Sequence, residues 1–409
     1  MWDNKTISMK TFIKRFLIFL LLIFVSCSEK SNEVNEKIKP YVDFLKTENT
    51  TSKDYVLKKF ENDDLIIICE RFHPEFTQYE FILELCKDER FIQNVGNIFI
   101  EVSTRNFQSK VDTFIKDKNL SESDLDSLLK NILRNKSVHP ISINTNFPFL
   151  LKGLRQINKG LSSENKLNLF SSDVSIDWAD MINSNNYKEF WYNTIVKRDS
   201  LMADYIIEKF DSIQNSSSKR KKALVIMNYR HAFGNEFMMP ENEKPDNVGR
   251  YLFDKYPKNI SNVLINSLTF SEVRSDNDAD VIAIQDGKWD AAFKKLQKDN
   301  LGFDFKDSPF GNDYFDLWPF TEHKFSYSQV FNGFIHYTSI EEIKLVSGVS
   351  NIIDSTFLAE LKRRNSLVNK ARNVNFSTTD STLWKYNQER VNDKFITDSI
   401  KIQINKWLK

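Results

Sequence analysis

Leu65-Ile66-Ile67-Ile68-Cys69-Glu70-Arg71-Phe72-His73 decides how the rest of the chain is read. Its apolar run is unbroken, as expected of a parallel strand covered on both faces. The run stops at a carboxylate, with a histidine three residues on. A helix is expected next, because Thr77-Gln78-Tyr79-Glu80 has capping-box spacing and Phe81, Ile82, Leu85 and Cys86 form an apolar stripe. Further along, Ile98-Phe99-Ile100 ends at Glu101, and Leu167, Leu169 and Phe170 lead into Asp173. Ala223-Leu224-Val225-Ile226-Met227 ends at Asn228, Arg230 and His231. Val263-Leu264-Ile265 and Phe334-Ile335-His336-Tyr337 supply two more strands. Phe107, Val111, Phe114 and Ile115 mark one intervening helix, and Leu125, Leu128, Leu129 and Ile132 another. A long helix is expected over 187–213. Alternation of this kind implies right-handed βαβ units. The expected fold class is α/β, a mostly parallel central sheet with helices on both faces and a helical C-terminal appendage.

The 409 residues carry 57 Lys+Arg against 56 Asp+Glu, a balance that excludes a strongly basic nucleic-acid binder. With 41% apolar residues and 34 Phe there is material for a large core, which excludes a mainly disordered chain. No GxGxxG, P-loop, Gly-x-Ser-x-Gly elbow, CxxC pair or CxxCH occurs, so nucleotide, serine-hydrolase, structural-zinc and c-type haem chemistry lack support. Cys69 and Cys86 read as buried free thiols. The five histidines are His73, His139, His231, His323 and His336, and any imidazole chemistry must draw on them. His139 and His323 read as surface residues, and His336 as a core-edge residue.

The N-terminus reads as a targeting segment. Lys10, Lys14 and Arg15 precede an apolar run over 16–25, then Ser26 and Cys27. That run is too short to cross ~30 Å of hydrocarbon but suits a signal peptide. Phe24-Val25-Ser26-Cys27 resembles a bacterial lipobox. The resemblance implies cleavage after residue 26, lipidation of Cys27, a membrane partner, and a lipid-anchored place in the bacterial cell envelope, at the outer membrane. The expected organisation is signal peptide 1–26, tether 27–45, α/β domain 46–348 and helical extension 349–409.

Parallel strands bring Glu70, Glu101, Asp173 and the Arg230-His231 pair to one edge of the sheet, where open α/β folds bind ligands. Glu70 and His73, Glu101 31 residues after Glu70, His231, and Arg198-Asp199 with Met202-Ala203 together resemble the superfamily of erythromycin esterases, ChaN-like haem-binding lipoproteins and TraB/Tiki-type proteases. The resemblance implies a hydrolytic or ligand-binding site. Cys69, Asn228 and Ile82 stand where the esterases carry Gly, His and Arg, which argues against macrolide hydrolysis.

His73 is the expected general base, with Glu101 and Glu70 as carboxylate partners and His231 as a further catalytic group. Arg230, Asn228 and Asp173 are expected to bind substrate. Glu70, His73, Glu101 and His231 together offer enough ligands for zinc or manganese. Arg230, expected to pair with Glu101, and Asn228, which thins the imidazole supply, argue for a metal-free site without cofactor. Divalent metal and haem remain the alternatives. The function expected is a lipid-anchored hydrolase acting on an ester or amide, its substrate a small molecule or a peptide. The alternatives are a non-catalytic carrier of haem or an iron compound, and a degenerate enzyme fold serving as a surface interaction module. Segment 302–319 is read as a lid or a loop pinned by its own aromatics, and 384–408 as an amphipathic helix.

Overall fold

Alternate residues of each central strand enter two different cores. Leu65, Ile67 and Cys69 of the first strand join one core, while Ile66 and Ile68 join the other. Ala223, Val225 and Met227 alternate with Leu224 and Ile226 in the same way. A sheet buried on both sides has this two-residue period with apolar side chains at every position. The computed structural model describes residues 34–142, 144–234, 246–270, 281–318, 325–374, 379–391 and 398–409. The signal segment, Cys27 and His323 lie outside them.

The strands are β1 Leu65–Glu70, β2 Asn97–Thr104, β3 Asn168–Asp173, β4 Ala223–Asn228, β5 Ile260–Ile265, the hairpin pair β6 Leu268–Phe270 and β7 Val281–Ala283, then β8 Leu301–Asp304 and β9 Gly333–His336. Seven of them form the main sheet in the order β3-β2-β4-β1-β5-β9-β8. All neighbours pair in parallel except β8, which runs antiparallel to β9 at the edge. The mostly parallel sheet with helices on both faces is therefore as expected. β1 is central, with Glu70 in register with Asn228 of β4.

Several local readings need correction. β2 does not end at Glu101. It continues to Thr104, but its pairing with β4 stops at Ile100, and its register against β3 shifts between Ile100 and Thr104. Glu101 thus sits where the strands part. The helix after β1 is capped by Glu75, whose carboxylate accepts from the backbone N–H groups of Thr77 and Gln78, and not by a Thr77 capping box. The long helix is two, Ser184–Asn193 and Arg198–Asn215, separated at Thr194 and a short turn Ile195–Lys197.

The tether region up to 45 includes the helix Lys39–Thr47, whose Tyr41, Val42 and Leu45 are buried in the core. Of segment 302–319, the residues up to 318 form a strand end and then a largely irregular stretch pinned by its own buried aromatics. Gly302 to Asp304 lie in β8, and Phe305, Phe310, Phe315 and Leu317 are core residues. The C-terminal stretch is not one helix. It contains the helix Asp380–Trp384, a strand Arg390–Val391 paired with Val346–Ser347, and the helix Asp398–Asn405, which buries Ile400 and Ile404 in the main core. Cys69 and Cys86 are buried and free.

Candidate functional site

Glu70 shares strand parity with Ile66 and Ile68, so its side chain leans toward the helix Thr77–Lys87. There the Tyr79 hydroxyl and the Gln78 amide donate to Oε1, at 2.8 and 3.3 Å. This leaves Oε2 for His73 Nδ1, 2.9 Å away. The turn is held further by Asn146, whose side-chain amide donates to the His73 carbonyl. Glu70 is buried, while the His73 side chain keeps 35% of its exposure.

Glu101 has the parity of Phe99 and leans the other way, toward the helix Arg198–Asn215. Met202, Ala203, Ile206 and Phe210 dock that helix on the sheet, which places its first residues, Arg198 and Asp199, over the carboxyl edge. Arg198 Nη2 lies 3.1 Å from Glu101 Oε1, and its Nε donates to Asp173 Oδ1 at 2.6 Å. The Asn228 backbone N–H donates to Glu101 Oε2 at 2.9 Å.

His231 closes the cluster. Its Nδ1 is 2.6 Å from Asp199 Oδ2 and its Nε2 is 3.3 Å from Glu101 Oε1. His73 Nε2 faces the same Glu101 oxygen at 3.9 Å. Two histidines, each fixed at Nδ1 by its own carboxylate, therefore converge on one oxygen of a third.

The charges reinforce one another. Burial alone would raise Glu101, but His231, Arg198 and His73 hold its carboxyl well below the ordinary range. Burial works against a charged His73, yet the Glu70 carboxylate in contact and Glu101 beyond it raise the ring above its ordinary value. Arg198 loses hydration, and Asp173 and Glu101 more than offset that. Below the acids lies buried Lys136, whose Nζ donates to the Val102 carbonyl at 3.2 Å. Burial pushes it down to about 8, with Asp173 and Glu70 opposing.

Of the residues expected here, Glu70, His73, Glu101, His231 and Asp173 come together. Asn228 and Arg230 are placed apart from the Glu101 oxygen on which the histidines converge. Asn228 is buried, and its side chain holds the Arg71 carbonyl and the Arg230 backbone. Arg230 is exposed, hydrogen-bonded to Asn228 Oδ1 and placed over the Trp318 ring at 5.7 Å. Arg198, not Arg230, pairs with Glu101, because the short turn Tyr229–His231 rotates His231 inward and Arg230 outward. His139 is exposed, as expected.

Reading the strand ends alone misses the contacts that Arg198 and Asp199 make. Their signal was available, since two charged residues open an amphipathic helix. The contributions of Tyr79, Gln78 and Lys136 carry no comparable signal.

Glu70, His73 and Glu101 bring three metal-ligating atoms within 4.8 Å of one another. These residues would hold a divalent cation, which supplies a Lewis acid and a more acidic water when bound. Arg198 already places a cation against Glu101, so the cluster carries its own counter-charge. Within this cluster, the outer nitrogens of His73 and His231 both face a carboxylate rather than an apolar slot.

No protein-family model matches the chain, and no curated protein matches it in sequence. Solved structures do resemble it. An erythromycin esterase, solved as a His-to-Asn mutant in its open conformation, overlays with a TM-score of 0.45 at 8% identity, over 74% of this chain and 95% of that one. A Bacillus cereus protein gives 0.45 at 11% identity, over 73% and 96%. ChaN of Campylobacter jejuni, solved with haem bound cofacially, gives 0.31 at 14% identity, over 55% and 89%. The chemistry below rests on this chain's own side chains.

Proposed function

We propose that the protein is a metal-independent hydrolase of the bacterial cell envelope, anchored by lipid at Cys27, which cleaves an ester or amide with water activated by His73. The observation that carries this reading is the convergence of His73 Nε2 and His231 Nε2 on Glu101 Oε1, each ring fixed from behind by a carboxylate.

A proton on His73 Nδ1, donated to Glu70, leaves Nε2 as the basic nitrogen. Its 3.9 Å separation from Glu101 Oε1 is too long for a direct hydrogen bond and suits a bridging water that donates to both. His73 takes one proton as the water oxygen attacks the carbonyl carbon. The new imidazolium lies between Glu70 and Glu101. Arg198 and a protonated His231 face the developing oxyanion, and His231 returns a proton to the leaving oxygen or nitrogen.

The test is turnover of p-nitrophenyl esters and anilides by the purified protein before and after chelator treatment. His73→Ala and His231→Ala are each expected to remove at least about 100-fold of the rate, with the chelator without effect. Turnover indifferent to both substitutions would overturn the reading, and turnover abolished by the chelator would move it to a metal-bound water. For the anchor, Cys27→Ser is expected to release the protein from the membrane fraction. Unchanged fractionation would refute it.

A further inference from the structure

His336 ends β9 with its ring buried and stacked on Phe293, centroids 3.8 Å apart and planes 7° from parallel. Its Nδ1 has no hydrogen-bond partner. Asp290, on the same helix as Phe293, is also buried, and its Oδ1 lies 4.0 Å from His336 Nε2, beyond hydrogen-bond reach. The bond its carboxylate does receive comes from its own backbone N–H. Two buried polar groups thus face each other without bonding, an arrangement that is unfavourable unless a third group satisfies them. Both line one cavity of about 220 Å³, with Asp299 and Glu341 beside them and Ile404 of the C-terminal helix as an apolar wall.

The charge in this cavity has one sign to spare. Lys294 is committed to Glu341, at 2.8 and 3.0 Å. Asp299 is 56% exposed, and its Oδ1 lies 3.6 Å from His336 Nδ1, also beyond hydrogen-bond reach. The groups left over are therefore chiefly acceptors, namely the Asp290 and Asp299 carboxylates and the unprotonated nitrogen of the His336 ring. They are spread around the cavity rather than converging on a point. Among the described residues, the three-ligand cluster tight enough for a metal ion is the one at Glu70, His73 and Glu101.

We infer that this cavity is a second binding site, which takes a small organic cation bearing N–H donors, an alkylammonium or guanidinium group. Its donors reach Asp290 and His336, its charge meets Asp299, and its carbon lies against Ile404. Burial first, then Glu341 and Asp299, push the Asp290 carboxyl up to about 7, with Arg71 opposing, and a bound cation offsets the shift by supplying an opposite charge. The site shares no lining residue with the Glu101 cluster.

Isothermal titration of the full chain with n-butylammonium, guanidinium and tetramethylammonium tests this, at a pH above the Asp290 value. One equivalent of butylammonium or guanidinium is expected to bind, and tetramethylammonium, with equal charge but no N–H, at least about tenfold more weakly. Asp290→Asn and Asp299→Asn are each expected to weaken binding at least about tenfold, and the exposed position of Asp299 keeps that variant folded. His73→Ala is expected to bind as the parent does, which separates this site from the hydrolytic one. Equal binding of tetramethylammonium, binding untouched in both Asp variants, or no binding of any of the three cations would overturn the proposal.

Discussion

Asp199 Oδ2 sits 2.6 Å from His231 Nδ1, from the first turn of a helix that β3 and β4 flank in sequence. The contact fixes the ring so that Nε2 points at Glu101, 3.3 Å away. An amide at position 199 keeps the shape but withdraws the carboxylate that orients the ring and steadies its charged form, and loss of this kind of orienting carboxylate costs up to about 10⁴-fold in rate. Asp199→Asn is expected to lower kcat by about 100-fold or more with little change in KM. Steady-state kinetics check it, and an unchanged kcat would remove His231 from the mechanism.

The pH profile has a defined direction. His73 must be neutral to act as base, and Glu70 and Glu101 raise it above its ordinary value. The acid limb of kcat/KM is therefore expected above about 6.5, the unperturbed histidine value. Glu70→Gln is expected to move that limb to lower pH. In stability the sign is opposite in use. A raised folded pKa makes the His73 contribution full below the unfolded value, and it is lost as pH rises through the folded value. A limb that stays in place in Glu70→Gln would show that the pair does not set the titration.

Glu101 illustrates the reverse linkage. Its folded carboxyl is held below the unfolded value, so its stabilisation is present above that unfolded value and disappears as pH falls through the folded one. Glu101→Gln leaves Arg198 with one carboxylate fewer and His231 facing an amide. Breaking a buried pair from one side costs about 3–5 kcal/mol. Urea unfolding near neutral pH is expected to show a loss of this size, shrinking in acid as the parent's own advantage fades. A loss independent of pH would assign the effect to packing alone.

The strand skeleton was legible because β1 and β4 are apolar up to their last residues, Glu70 and Asn228, and parallel pairing then carried Glu70, Glu101 and His231 to one edge. Orientation around that edge was not legible. Glu70 and Glu101 lean to opposite faces, and only the two-residue period counted back from Ile68 and Phe99 reveals it. The error over Arg230 has a related cause. The residues after β4 form a short helical turn, in which the neighbour of a site residue points away from it. Other signals were present but read differently. Ile38, Tyr41, Val42 and Leu45 have the spacing of a buried helix face, and Gly302-Phe303-Asp304-Phe305 alternates as an edge strand does. The break at Thr194 has no Pro or Gly to announce it, and the two helices it separates bury their side chains in different clusters.

Asp290 supplies a prediction in which removing a charge stabilises the protein. Its carboxyl is raised from 3.8 to about 7, chiefly by burial. A folded state that holds its proton more tightly than the unfolded chain loses stability as pH climbs from the unfolded value toward the folded one, and then levels off. At 1.36 kcal/mol per pKa unit, the loss is on the order of 4 kcal/mol. Asp290→Asn cannot ionise and avoids that loss. Its stability is expected to match the parent's in acid and to exceed it increasingly up to neutral pH, by a few kcal/mol. Thermal melts across that range check the divergence, and parallel curves would show that Asp290 is not ionising in a buried place. The cation arm makes the test sharper. In neutral or alkaline buffer, n-butylammonium is expected to raise the melting temperature of the parent, because it binds the folded state and pairs with the ionised carboxylate. In Asp290→Asn the same addition is expected to raise the melting temperature by much less, in line with its weaker binding.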